Sequence, residues 1–170
     1  QRQMCIRDSL SGGLDSSLVS AVAQRLSNKP IKTFTIGSKG SPDVEYAQKV
    51  ANHIGSDHHT IEIDLDNSIQ YINDVIKTLE TFDITTIRAS TGQYLISKYI
   101  SENTDIKVIL NGDGADEVQM GYLYFFSAPC ESCAHVEQKR LLSEIHLYDG
   151  LRVDRLSLIH ISEPTRPERI

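Results

Sequence analysis

The sequence predicts an α/β fold, a parallel sheet flanked by helices. Three observations carry that expectation. Short β-branched runs alternate with helical periods of about 10–15 residues, the pattern of strand–helix–strand units. One glycine-rich segment, Asn111-Gly112-Asp113-Gly114, follows directly on an apolar run, and another, Ser11-Gly12-Gly13, opens a helical period. The length, 170 residues, suits one domain with a sizeable core and is too short for two ordinary ones.

The elements follow in order. Leu14 to Leu26 reads as a helix, with Leu14, Leu18, Ala21, Val22 and Leu26 at three- and four-residue spacing on its inner face. Ile31 to Ile36 reads as a strand. Ser41-Pro42 opens a second helix, with a side-chain oxygen to cap it and proline at the first position, where no amide bond is lost. Val44, Ala47, Val50, Ala51 and Ile54 form its buried stripe, and Gly55 suits its stop. Thr60 to Ile63 is a strand, and Leu65 to Leu79 a helix with Ile69, Ile72, Val75 and Ile76 inward. Gln93 to Ile100 is helical, Lys107 to Leu110 is a strand, and Glu137 to Arg155 is the last helix. A strand should also precede Ser11-Gly12-Gly13, yet Arg7, Asp8 and Ser9 do not make the apolar run of a central parallel strand.

Composition excludes several classes. A net charge of −6 with interspersed signs offers no basic patch for nucleic acid. No apolar run approaches the roughly 20 residues that span a bilayer, so no membrane partner is expected. Three cysteines, an odd number, do not form a disulfide framework, and a reducing, cytoplasmic setting is the default.

Chemistry concentrates in two segments. Ser11-Gly12-Gly13-Leu14-Asp15-Ser16-Ser17 lies at the mouth of the first helix. Its glycines admit a ligand close to the backbone, while free amides and the helix dipole favour negative charge. Asp15 would repel phosphate unless a divalent cation lay between them, and Mg²⁺ takes one or two carboxylates together with substrate phosphates. The spacing is not that of the lysine-containing phosphate loop. The second segment, Asn111-Gly112-Asp113-Gly114-Ala115-Asp116-Glu117, follows a strand. Ligands of open α/β sheets sit outside strand carboxyl ends, so both loops can face one crevice, with Asp116 as a second carboxylate for the metal.

The heptapeptide resembles the PP-loop of ATP pyrophosphatases, and the remainder is similar to the synthetase domain of the glutamine-hydrolysing asparagine synthetase family. The match runs through Phe34-Thr35-Ile36-Gly37, Gly40-Ser41-Pro42-Asp43, Ala51-Asn52-His53-Ile54-Gly55, His58-His59 and Glu80-Thr81-Phe82-Asp83. It continues in Thr85-Thr86-Ile87-Arg88-Ala89-Ser90, the acidic loop, and Gly121-Tyr122-Leu123-Tyr124-Phe125. The resemblance implies a PP-loop adenine-nucleotide alpha hydrolase-like fold. It also implies an ATP-dependent ligase that makes asparagine from aspartate and ammonia through β-aspartyl-AMP, releasing AMP and pyrophosphate. The alternatives are another PP-loop adenylating ligase, of the β-lactam- or lasso-peptide-forming type, and a nucleotide-binding segment without turnover.

By the same resemblance the backbone of Leu10 and Ile36 holds adenine, and Ser11, Gly12, Gly13 and Ser16 bind the pyrophosphate portion. Asp15 and Asp116 hold Mg²⁺, and Asn111 and Gly112 lie along the nucleotide. Asp113 stands where many members carry a Glu that promotes the chemistry. Arg88 pairs with a carboxylate or phosphate as a forked donor. Gln119-Met120-Gly121 departs from the commoner Phe-Gly-Gly. A glutaminase domain with a terminal Cys nucleophile and a helical part with a pyrophosphate-binding lysine belong to the family and are not found in these 170 residues; turnover by this chain alone is therefore not expected. Residues 9–155 are expected to be a partial synthetase domain. Residues 1–8 and 156–170, which resemble translated adapter DNA, are expected to be a non-native leader and tail.

The remaining features read as structural. Cys130 and Cys133 have pair spacing but no second pair, and read as incidental thiols. His53, His58 and His59 take structural roles, and Tyr122, Tyr124, Phe125 and Phe126 belong to the core.

Overall fold

A computed structural model of the chain describes residues 6–63, 69–106, 108–157 and 159. Four strands, β1 (Ile6–Ser9), β2 (Lys32–Gly37), β3 (Asp57–Glu62) and β4 (Val108–Leu110), form one parallel sheet in the order β3-β2-β1-β4. Among the described residues the helices are α1 (Leu14–Leu26), α2 (Pro42–Ile54), α3 (Ile72–Leu79), α4 (Ile84–Asn103), α5 (Ala115–Gln119), α6 (Glu131–Glu144) and α7 (Asp149–Ser157). The expected α/β class is observed.

The strand that the first glycine turn requires is present. Ile6–Ser9 lies between β2 and β4, pairing Arg7 with Lys32 and with Ile109. Ladder bonds use the main chain, so a charged sequence can occupy a central position. The chain builds outward from β1 to β2 and β3, then returns to the other side of β1 with β4. The order therefore reverses between β1 and β4, the topological switch point at which open sheets open a crevice.

Alternation along β2 sends Phe34 and Ile36 toward α4 and the buried Thr33 and Thr35 to the opposite face. Phe34, Ile96, Ile100 and Ile106 make one apolar cluster, with Ile36, Ile61 and Ile109 against it. On the other face Leu10 packs with Ala47 and Ala51 of α2. A third cluster joins Val75 and Leu79 of α3 to Leu156 of α7, with Ile87 and Tyr94 of α4 alongside.

Several expectations are corrected. The bounds of α1 are as expected, but its inner face is not: Ser16, Ser20 and Ala23 are buried, whereas Leu14 is 82% and Leu26 81% exposed. Small residues let the helix approach the sheet closely, and the aliphatic stripe lies outward. Ser41 provides no side-chain cap for α2; Pro42 starts it and Gly55, at φ 72°, ends it. In α3, Val75 and Leu79 are buried while Ile69 is 65% exposed; residues 65–68 of that expected helix, and Lys107, lie outside the described residues. Helix α4 starts nine residues before Gln93 because Asp83 accepts the Thr86 amide at 2.7 Å and caps it. The expected last helix is two helices, α6 and α7, separated by a 3₁₀ turn at Ile145–Leu147. Helix α7 runs through Ser157, and Leu156 is core. The aromatic run after Gly121 is not core: Tyr122, Tyr124 and Phe125 stack in a ladder, with Tyr124 and Phe126 exposed. Cys130 and Cys133 are joined in a disulfide.

Met120 is the second residue of the departure from Phe-Gly-Gly, and its φ is +55°. A side chain in the left-handed region costs about 1–2 kcal/mol, which glycine would avoid. The following Gly121 packs against Asp116: a Cβ there would displace the Asp116 carboxylate and stand 3.3 Å from its Cα.

Candidate active site

The carboxyl ends of β1 and β4 deliver the two glycine loops side by side. Gly112 meets the first turn of α1 directly: a Cβ on it would lie 2.9 Å from Ser16 N and 3.0 Å from Asp15 Cβ. Gly12, at φ +81°, is pressed against α2, where a Cβ would sit 2.7 Å from Ala47 N. These contacts make a single wall of the two loops and clamp the first onto α2.

Behind that wall lies a cavity of about 680 Å³. It is lined by Leu10, Ser11, Gly13, Asp15, Ser16, Ile36, Asn111, Gly112, Asp113 and Asp116, all singled out from the sequence. Thr85, Ala89, Gly92, Gln93 and Ile96 of α4 form the opposite wall. Gly12 supports the loop from behind and does not line the cavity. Arg88 is not brought to it either. It is exposed and sits on the flank of the α4 stripe, roughly 80° around a helix that turns about 100° per residue.

The loop after β1 is held by its own hydroxyls. Ser11 Oγ and Ser16 Oγ are 2.9 Å apart, the Ser11 amide donates to Ser16 Oγ at 3.2 Å, and Ser17 Oγ donates to Gly13 O at 2.6 Å. Gly13 is the N-cap of α1 and no side chain caps that helix. The first-turn amides therefore keep their hydrogen-bonding capacity for an anion. The Leu10 amide, by contrast, is taken up by Phe34 O at 2.9 Å, and its carbonyl already accepts from Thr35 Oγ1.

The loop after β4 holds its carboxylates in two ways. Asp113 is gripped from three elements: Gln93 Nε2 of α4 at 2.8 and 3.1 Å, Asn111 Nδ2 at 3.3 Å, and Arg152 Nη2 of α7 at 3.5 Å. Among the described residues Asp116 has no such escort. Burial, then the charges of Asp15 and Glu117, push its carboxyl above the usual range. Uncompensated negative charge between Asp15 and Asp116 fits a hard divalent cation. Among the described residues no group of three or more His, Cys, Asp or Glu could hold a metal alone. In general Mg²⁺ is bound through one or two carboxylates and completes its shell with water and phosphate oxygens.

Sequence reasoning missed Gln93, Glu117, Tyr122, Asp149 and Arg152, all of which line the cavity. Glu117 is 1% exposed and accepts from the Tyr122 hydroxyl. Arg152 binds Asp149 at 2.6 Å and is the one cation on the cavity wall among the described residues. The sequence signal was weak, because Asp149 and Arg152 at i,i+3 on a terminal helix read as an exposed pair.

Burial raises the Asp149 carboxyl to about 6; Arg152 opposes this, while Glu117 and Asp113 add to it. Because the folded value lies above the ordinary 3.8, this group stabilises the fold fully at low pH. That contribution is lost as pH rises through about 6. Asp149→Asn stays neutral throughout, so urea denaturation should show a flatter stability profile between about pH 4 and 7. Parallel profiles for the two proteins would remove Asp149 as the cause.

Comparison with known proteins identifies the family. The family described as asparagine synthase matches residues 9–160. The glutamine-hydrolysing asparagine synthetase of Bos taurus is 51% identical over 156 residues, covering 89% of this chain and 28% of its own length. That of Homo sapiens is 50% identical over the same extent. The chain thus spans little more than a quarter of these relatives. Among solved structures, an NMN synthetase from Francisella tularensis covers 98% of this chain and 90% of its own at 16% identity and a TM-score of 0.47, too loose a likeness to bear on function. No described helix is long and apolar enough to cross a membrane.

Proposed function

This chain belongs to the asparagine synthase family, and from that premise we propose that its crevice activates the side-chain carboxylate of aspartate with ATP and passes it to ammonia. The observation that carries the proposal is the joining of the two loops at Gly112. It places free helix amides and the Asp15–Asp116 pair on one cavity wall.

In this reading the first-turn amides of α1 and the hydroxyls of Ser11 and Ser16 receive the pyrophosphate portion, with Gly12 and Gly13 giving them access. The second lone pair of the Leu10 carbonyl and the backbone of Ile36 face adenine, and Asn111 and Gly112 follow the rest of the nucleotide. Asp15 and Asp116 would hold Mg²⁺, which supplies screening of the phosphate charge. The aspartate carboxylate attacks the α-phosphorus, the bond to the β-phosphate breaks, and pyrophosphate leaves. Ammonia then attacks the acyl carbon of β-aspartyl-AMP, and AMP departs with its electron pair. Asp113, oriented by Gln93, Asn111 and Arg152, accepts the proton that nitrogen loses as the amide forms. Arg88 lies outside the cavity lining, so a role as a forked donor to a substrate carboxylate would require its long side chain to swing in from the flank of the α4 stripe.

The test is aspartate-dependent exchange of labelled pyrophosphate into ATP, which reports reversible adenylate formation. The protein assayed is a hybrid in which residues 9–157 replace the matching segment of the full-length bovine relative. Exchange that requires aspartate and Mg²⁺ is expected. Exchange indifferent to aspartate would overturn the substrate assignment, and binding of ATP without any exchange would overturn the chemistry.

A further inference from the structure

We propose that Cys130 and Cys133 form a reversible redox site that exchanges with low-molecular-weight thiols and disulfides of the glutathione type. The inference is independent of the nucleotide-binding reading. The two sulfurs are bonded, their Cα atoms are 5.1 Å apart, and both residues are exposed. The sequence separation is 3, so the bond closes on a single helical turn and ties no distant parts of the chain together. Loop-closure stabilisation grows with loop length, which makes this pair a poor structural staple. Ready access and a short loop are the features of an exchanging pair.

The surroundings distinguish the two sulfurs. Cys130 is the N-cap of α6, a helix of 14 residues, and its Sγ accepts the Cys133 amide at 3.1 Å. Ser132 Oγ lies 3.1 Å from the same sulfur. An amide, a hydroxyl and the positive end of the helix therefore all favour negative charge on Cys130 Sγ, against the opposing charge of Glu131 in the first turn. Cys130 is accordingly the attacking sulfur. As a thiolate it attacks a small disulfide RSSR, forming a Cys130–S–S–R bond and expelling one RS⁻. The Cys133 thiol loses its proton to solvent and attacks Cys130 Sγ, which closes the internal disulfide and expels the second RS⁻. The protein dithiol is oxidised by two electrons and RSSR is reduced to two thiols; excess thiol runs both steps backward.

The experiment uses the whole chain with Cys5→Ala, which removes the third thiol. The protein is equilibrated in glutathione buffers of graded reduced-to-oxidised ratio, trapped with maleimide, and read by intact mass. A smooth passage from two labels to none is expected as the oxidised form increases. Two labels persisting in excess oxidised glutathione would overturn the proposal, as would no labels in excess reduced glutathione. In single variants, Cys133→Ser should trap a glutathione adduct at Cys130 at least tenfold faster than Cys130→Ser does at Cys133. Equal rates would overturn the assignment of Cys130. The titration of the unsubstituted pair needs neither variant, so it decides the matter even if one folds poorly.

Discussion

Replacing Asp15 or Asp116 with alanine is expected to lower aspartate-dependent pyrophosphate exchange in the hybrid by about 10³-fold, the upper end of what one electrostatic contact to a developing charge contributes. Both carboxylates face the cavity, and burial with mutual repulsion raises Asp116 above its usual range. A divalent cation converts that repulsion into attraction for phosphate. The sign of the binding change makes the case specific. In this chain Asp15→Ala should weaken Mg·ATP but tighten metal-free ATP, because a bare carboxylate repels phosphate and its removal relieves that. Calorimetric titration with and without Mg²⁺ separates the two. Weakening of both forms alike would show that Asp15 shapes the loop and does not hold a metal. Near-normal exchange in both variants would end the metal assignment.

Much of this was legible because periodicity and loop chemistry act locally. Helix α1, the start and stop of α2, and both glycine loops could be placed from neighbouring residues alone. The two loops could also be assigned to one crevice, since parallel strands put their carboxyl ends on the same edge. What was not legible depended on packing between distant segments. The aliphatic stripe of α1 has the right period for a buried face, yet the residues that fit against the sheet are Ser16, Ser20 and Ala23. Periodicity finds a face and does not say which partner is close enough to demand small side chains. The start of α4 was missed because Thr85, Thr86 and Ser90 are poor helix formers, although Asp83 followed by Thr86 was a usable cap signal. Ser90 and Thr91 satisfy their hydroxyls on the preceding turn, which lets them sit inside the helix. Arg88 and Arg152 show the same limit at the site. A family-like stretch drew attention to Arg88, whereas the arginine on the cavity wall is supplied by the last helix, far away in sequence.

Gly112→Ala should lower pyrophosphate exchange by about 10²-fold while destabilising the fold by only about 1–3 kcal/mol, the usual cost of overpacking a tight contact. The added methyl would stand 2.9 Å from Ser16 N, 3.0 Å from Asp15 Cβ and 3.1 Å from Asp15 C. Most of these atoms are main chain in the first turn of α1 and cannot swing aside as a long side chain would. The loops must therefore part to reach ordinary contact distance, and a misplacement of about 1 Å in a catalytic arrangement can cost about 10²-fold. The separation falls between the amides offered to phosphate and the carboxylate of Asp116, the two groups that must act on one nucleotide. Gly40→Ala is the matched control. A Cβ there meets nothing within 4 Å, and its φ of +80° gives a backbone penalty of the same order, about 1–2 kcal/mol, without touching either loop. The control should lose stability and keep its exchange rate at saturating ATP. If Gly112→Ala also kept its rate, the loops would not need to be in register, and the contact at Gly112 would be a matter of packing alone.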